Sequence, residues 1–257
     1  MLKKLVLAAG LAFGLVSGGL VSGAQAAGGE VSLPKQSWGF YGVFGTYDRA
    51  AAQRGFQVYK EVCAACHSLS LVSYRNLRDL GFSEEEVKAI AAAYKVTDGP
   101  NDAGEMFERA ARPSDRIVKP YPNENASRAA NNGAYPPDLS LINKARVGGP
   151  DYIYALLVGY EKAPADVQLL DGQYYNKYFP GLKIAMPQPL NDGQVTFADG
   201  TQATVANMSH DVTVFLNWAA EPELEKRHRL GVQVILFLIV ATGFFYAAKR
   251  RVWADIH

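Results

Sequence analysis

Cysteine is scarce in this chain: two in 257 residues, at positions 63 and 66. A structural zinc site needs four ligands, usually from a second Cys/His pair at close spacing. No such pair exists, because the remaining histidines stand far apart at His210, His228 and His257. A thioredoxin-like C-x-x-C would need a βαβ context, and none follows. Charge of one sign is also lacking. The formal net charge is +1, no basic stripe interrupts the chain, and nucleic acid is not indicated as a partner. No internal repeat is evident, which excludes a solenoid or propeller. Methionine is limited to four residues, Met1, Met106, Met186 and Met208.

What is present gains weight from these absences. The two cysteines fall in Cys63-Ala64-Ala65-Cys66-His67. C-x-x-C-H is the pattern of covalent c-type haem attachment. Two thiols three residues apart can each bond one vinyl group of a single porphyrin, and the next side chain is then held beneath the iron. His67 is the expected proximal ligand, with one covalently bound haem c as cofactor. The chain is expected to carry electrons.

Both ends read as membrane-directed segments. Residues 1–26 have the form of a secretory signal: Lys3 and Lys4, an apolar stretch from Leu5 to Val21, and an Ala24-Gln25-Ala26 cleavage site. From Leu230 to Ala248 no residue is charged. Those 19 residues would span about 28 Å as a helix, close to a ~30 Å hydrocarbon core. Lys249, Arg250, Arg251 and Trp253 follow as interfacial anchors. Basic residues flank both sides of the run, so charge alone leaves its orientation tied. The leader decides it: the expected layout is an exported domain over 27–221, an anchor over 222–251 and a cytoplasmic tail over 252–257. The exported part is mildly acidic once the leader and tail are set aside, which suits a basic soluble partner.

Within the exported part the pattern is mainly helical. Asp48 is placed to cap a helix running to Val62. Ala52, Phe56, Tyr59 and Cys63 recur on one face of it, and Gly55 permits close approach of a neighbour. A short helix over Val72–Leu80 should end at Gly81. Ser83 and Glu86 form a capping box for the next helix, with Val87, Ile90, Ala91 and Tyr94 inward. From Val96 to Pro150 prolines and asparagines predict long loops, suited to wrapping a haem. Gly149-Pro150 opens a helix through Val158 that Gly159 closes. Glu161 to Pro189 reads as irregular. Asp199-Gly200 suggests a small hairpin over 195–203. Thr204 caps a helix whose core stripe is Val205, Met208, Val212, Phe215, Leu216 and Ala219. Pro222 fits the first turn of the anchor helix.

A haem held by one histidine would bind gases or peroxide, whereas a methionine on the other face gives an electron-transfer site of raised potential. Met208 lies on a core stripe, and Met106 lies in a short amphipathic turn where gap filling is the default. Met186, in Ile184-Ala185-Met186-Pro187-Gln188-Pro189, sits in a loop with no helical packing reason for it. Pro187 restricts it to extended geometry. Residue logic favours Met186 and leaves Met106, Met208 and His210 open.

The chain resembles the cytochrome c1 family, the haem subunits of ubiquinol–cytochrome c oxidoreductase. The resemblance rests on Cys63–Leu69, on Arg128-Ala-Ala-Asn-Asn-Gly-Ala-Tyr-Pro-Pro-Asp-Leu-Ser140, and on Ala145-Arg146-Val-Gly-Gly149. It rests also on Tyr178-Phe-Pro-Gly181, Met186-Pro, and Trp218-Ala-Ala-Glu-Pro222-Glu before the anchor. It implies a mainly α c-type cytochrome domain with long loop insertions and one C-terminal transmembrane helix. It implies Met186 as sixth ligand, Arg128 as partner of a haem propionate, and Pro136 and Pro137 as residues lining the haem. The extra cysteine pair of some bacterial members is missing here. The implied role is an electron-transfer subunit, not a catalyst alone. It would take an electron from the Rieske iron–sulfur subunit, beside cytochrome b, and deliver it to cytochrome c. The leader places it in a bacterial inner membrane with the haem domain in the periplasm. The rival expectation is a free-standing membrane-tethered cytochrome c serving an oxidase or dehydrogenase.

Overall fold

Asp48 starts the first helix. Its carboxylate accepts the Ala51 N–H at 3.0 Å, and helix α1 runs over Arg49–Glu61. The computed structural model describes residues 32–255, so the signal read at 1–26 and the last two residues of the tail lie outside them. Ala52, Phe56 and Tyr59 on α1 are buried as their spacing predicts. They face a second long helix, called α6 below, which spans Val205–Ala220 and is capped by the Thr204 hydroxyl on Asn207 N–H at 3.1 Å. The two backbones touch at Gly55: a Cβ there would lie 2.0 Å from the Asp211 carbonyl oxygen. Close approach is therefore the reason for this glycine. Phe215 of α6 meets Phe56 and Tyr59 with ring centroids 5.6 and 5.7 Å apart. Met208, Val212, Phe215, Leu216 and Ala219 are all buried, so Met208 is a packing residue.

Around this pair the other elements are laid in chain order. A 3₁₀ turn spans Cys63–Ala65 and a longer 3₁₀ helix Tyr74–Leu80, closed by Gly81 at φ +98°. Helix α2, Glu84–Ala92, has both capping-box bonds between Ser83 and Glu86. It buries Val87 and Ala91, while Ile90 and Tyr94 are half-buried. The segment expected to be loop begins instead with an antiparallel hairpin. Strand β1, Lys95–Asp98, pairs with β2, Phe107–Ala110. Its side chains are largely exposed, so no alternation of apolar residues announces it. Ion pairing supports it: Arg109 bonds Asp98 and, at 2.6 Å, Asp115. Met106 between the strands is exposed rather than filling a gap.

Helix α3 (Glu124–Ala130), the single turn α4 (Ile142–Ala145) and α5 (Gly149–Val158) complete this region. The last two pack on α6, where the Asn143 side chain donates to the Thr213 carbonyl at 3.0 Å. A two-residue pairing of β3 (Tyr174–Tyr175) with β4 (Lys183–Ile184) interrupts the irregular stretch that follows. The hairpin expected at 195–203 is only a turn. Val195 and Phe197 both enter the core, and Asp199 is drawn off to Arg54 at 2.8 Å.

Helix α7 spans Leu224–Val252. It starts two residues after Pro222, which lies before its first turn and not in it. Its most apolar window has mean hydropathy 2.2, and none of that window is buried in the protein. Among the described residues it is the one helix long and apolar enough to cross a membrane. Its first turns belong to the folded domain. Leu224 is buried, Glu225 grips Arg49 with two 2.8 Å bonds, and His228 meets the Gly45 carbonyl at 3.1 Å.

Candidate functional site

The C-x-x-C-H segment leaves the end of α1 as a tight turn. Cys66 N–H and His67 N–H both donate to the Cys63 carbonyl, at 3.1 and 2.9 Å. Both cysteines are unbridged and half-buried. Cys63 packs against the core, and burial pushes its thiol up to about 12. Cys63 thus continues the buried stripe of α1, although it lies one residue beyond the helix cap.

His67 is oriented by a residue 70 positions away. Its Nδ1 stands 2.8 Å from the Pro137 carbonyl oxygen. A carbonyl can only accept, so Nδ1 carries the proton. Burial holds the imidazole below its usual pKa, so the neutral ring keeps its lone pair on Nε2. That nitrogen is the one available to a metal, and the Pro137 bond fixes both tautomer and ring orientation.

Four further bonds join the same two strands of chain. Asp138 accepts from Ser68 Oγ at 2.7 Å and Ser70 N–H at 2.9 Å. The Ser140 hydroxyl accepts the Leu71 N–H at 3.0 Å. The Leu139 N–H donates to the Ser68 carbonyl at 2.9 Å. Asp138 also takes the Ser140 N–H at 2.8 Å. Burial alone would raise this carboxyl, but its hydrogen bonds with Ser140, Ser70 and Ser68 bring it down to about 2. Segment 67–71 is thus fastened to 137–140. Asp138 is the functional residue that sequence reasoning missed. Its signal was the Pro-Pro-Asp-x-Ser string, since an aspartate directly after two prolines is placed to gather nearby N–H groups.

Met186 is built separately. It is half-buried just after β4, and its carbonyl accepts the Tyr160 hydroxyl at 3.0 Å. The loop before it hangs from the end of α5. Buried Asn176 donates to the Leu156 carbonyl at 2.7 Å, and Lys177 N–H reaches Gly159 O at 3.0 Å. A Cβ at Gly159 would lie 2.6 Å from the Tyr178 ring and 2.7 Å from the Asn176 side-chain oxygen. The glycine that closes α5 therefore also seats the methionine loop.

Arg128 is occupied on its own helix. It bonds Glu124 at 2.8 Å and the Gly133 carbonyl at 3.0 Å, with the guanidinium 5.4 Å from the centre of the Tyr135 ring. A second arginine stands near Pro137. Arg146 lines a cavity of 350 Å³ together with Pro137, Asp138, Leu71, Leu141 and Ile142. A smaller cavity of 190 Å³ is walled by Tyr59, Ala64, Tyr74, Tyr94 and Ile117. Among the described residues no three His, Cys, Asp or Glu side chains converge to hold a metal ion by themselves. The donor set suits a group that brings most of its own ligands. Two free thiols and one imidazole with a committed Nδ1 fit a c-type haem.

Comparison with known proteins agrees with this chemistry. Residues 38–256 match the Cytochrome C1 family. Cytochrome c1 of Rhodospirillum rubrum is 47% identical, with 100% of this chain and 98% of that protein covered. A mitochondrial cytochrome c1 heme protein of Solanum tuberosum is 52% identical over 94% of this chain and 93% of its own. Cytochrome b/c1 of Bradyrhizobium diazoefficiens is 52% identical over 93% of this chain. The chain spans only 38% of that longer protein.

Proposed function

The chain belongs to the cytochrome c1 family, and from that premise we propose that it is the electron-carrying haem subunit of a quinol–cytochrome c reductase. It accepts one electron from the iron–sulfur subunit and passes it to cytochrome c, while cytochrome b holds the quinol chemistry. The similarity to a cytochrome b/c1 protein supports the pairing with cytochrome b.

In this reading Cys63 and Cys66 would hold one haem c through thioethers, and His67 Nε2 and Met186 Sδ would donate to its iron. The haem supplies one-electron oxidation and reduction. The protein's part is orientation and tuning. Pro137 keeps the proton on Nδ1 and so keeps Nε2 free. Asp138 and Ser140 hold Pro137 in place through Ser68, Ser70 and Leu71. Methionine ligation and burial would raise the potential of the bound haem, which favours its accepting an electron. Of all these features, the His67–Pro137 bond carries the reading. It is a long-range contact that a histidine needs for metal ligation and that a surface histidine does not need.

The proposed layout puts the haem domain in the periplasm, with α7 as a single-pass anchor in a bacterial inner membrane and the basic end of α7 on the cytoplasmic side. The test of the cofactor is direct. On a denaturing gel the chain should retain haem peroxidase staining, and replacing Cys63 and Cys66 together by Ser should abolish it. Haem that leaves the unaltered chain in acid acetone would overturn the proposal.

A further inference from the structure

Gly39–Gly45 forms a tight loop whose tip is apolar and uncovered. Tyr41 N–H donates to the Trp38 carbonyl at 3.1 Å, Gly45 N–H to Gly42 at 3.2 Å and Thr46 N–H to Gly39 at 3.0 Å. Gly42 has φ +84°, and a Cβ at Gly45 would lie 2.3 Å from the Phe40 carbonyl oxygen. The loop is therefore shaped by its glycines. Trp38 and Phe40 at its base are 5% and 2% exposed, whereas Tyr41, Val43 and Phe44 at its tip are 55%, 62% and 83% exposed. An apolar tip of this size on a well-formed loop calls for something to cover it.

The fold says where this tip lies along α7. Tyr47 N–H donates to Glu225 at 2.7 Å. Two residues back, the Gly45 carbonyl meets His228 at 3.1 Å. Going from Tyr47 to Gly45 the chain moves three positions along α7, or about 4.5 Å toward the apolar run that begins at Leu230. His228 precedes Leu230 by only about 3 Å of helix. The headgroup layer on each side of a bilayer is roughly 5–7 Å deep. Gly45 thus falls inside that layer, and Phe44 and Val43 adjoin it in the chain. Exposed Arg229 occupies the same level of α7, beside Lys226 and Arg227, which pair with Glu223 and Glu221, and a cation there suits anionic headgroups.

We infer that the Gly39–Gly45 loop is a second membrane contact, with Val43 and Phe44 inserted among lipid headgroups and Tyr41 at their edge. Tyrosine at this depth acts as an interfacial anchor, and phenylalanine buries apolar area at the headgroup boundary. The loop is tied to α7 through His228 and Glu225 and to α1 through Tyr47 and Asp48. Helix and loop together would fix the tilt of the domain on the bilayer, which a single helix cannot do. The inference rests on α7 spanning a membrane.

The test uses the full haem-loaded chain in vesicles of phosphatidylcholine and phosphatidylglycerol. Nitroxide labels are placed singly through Phe44→Cys, Val43→Cys and Tyr246→Cys, with the unaltered chain as labelling background. Relaxation by oxygen and by a water-soluble nickel chelate reports depth. Position 246 should favour oxygen strongly, and positions 43 and 44 should favour oxygen over nickel to a lesser degree. Phe44→Ser with Val43→Ser should leave the haem spectrum unchanged and widen the distribution of domain tilt seen by oriented-sample spectroscopy. If 246 reports lipid while 43 and 44 are open to nickel, the loop inference fails and the anchor stands. If 43 and 44 are shielded from both probes, a protein surface covers the tip and the lipid assignment is wrong. If 246 itself is open to nickel, the spanning helix fails, and the inference with it.

Discussion

Replacing Asp138 by Asn should loosen the part of the site that orients His67. Asp138 uses one oxygen for Ser68 Oγ and Ser70 N–H and the other for Ser140 N–H. An asparagine keeps one acceptor, so its amide must face at least one of these donors. Ser140 is fully buried, and its N–H would have no second partner to turn to. Losing one charge-assisted bond and stranding its donor costs about 2–3 kcal/mol. Linkage gives a similar size. A carboxyl brought from 3.8 to about 2 corresponds to at most ~2.4 kcal/mol, and partial exposure reduces that to ~1–2 kcal/mol. Taking about 2 kcal/mol, thermal unfolding followed by far-ultraviolet circular dichroism should shift down by roughly 4–8 °C at pH 7.

The pH dependence follows from the sign of the shift. The folded pKa lies below the unfolded one, so the stabilisation is fully present above about pH 4. It is lost as pH falls through about 2. The gap between the native chain and Asp138→Asn should therefore close on acidification over that window. Amide exchange should rise at Ser70, Leu71 and Ser140 and stay unchanged in α2 and in the β1–β2 hairpin. A variant melting within 1 °C of the native chain, about an eighth of the largest expected shift, would refute the argument. So would a gap that persists undiminished at pH 2, since it would not arise from the carboxylate.

Met186→Leu keeps apolar volume but removes the sulfur. Haem should stay attached, its midpoint potential should fall, and carbon monoxide should bind the reduced form, whereas the same change at buried Met208 or exposed Met106 should leave the potential alone. A chain stopped after Arg229 should be exported as a water-soluble haem domain, judged by fractionation. One stopped after Pro222 should be less stable by thermal melting, because it lacks buried Leu224 and the Glu225–Arg49 pair. Arg128→Gln should change stability by less than ~1 kcal/mol, as expected of an exposed helix pair.

Much of the framework was legible because it depends on local chemistry. Asp48, Ser83 and Thr204 announce helix starts by the donors they can satisfy nearby, and Gly81 and Gly159 announce ends. The core stripe of α6 follows from a period of 3.6. The β1–β2 hairpin escaped because its stability comes from Arg109 between two aspartates and not from a buried face. The hairpin expected near Asp199-Gly200 was misread because both flanks looked like strands. Val195 and Phe197 instead pack into the core, and Asp199 is taken by Arg54. Cys63, Cys66 and His67 could be found as a string, since their chemistry needs only their own spacing. The string Pro136-Pro137-Asp138 was visible too, but its partners were not, because Pro137 and Asp138 act across 70 positions of chain.

The two proposed axial donors are also supported in different ways. His67 stands in a seam where two distant segments exchange hydrogen bonds along several residues, and these hold the Pro137 carbonyl that orients its ring. Met186 ends a loop that closes largely on itself: Phe179 N–H donates to Asn176, Leu182 N–H to Phe179, and Asn176 N–H to Leu182. Leu182 is held at φ +63°, an uncommon conformation for a residue with a side chain. That loop reaches the rest of the domain through Asn176 to Leu156 of α5, through Lys177 to Gly159 and Glu161, and through the Tyr160 hydroxyl. Local opening needs fewer bonds to break on the methionine side than on the histidine side, so the methionine side should open first. The thioether attachment proposed next to His67 would then have a clear physical use. It would keep the group in place on the rigid side when the methionine loop opens.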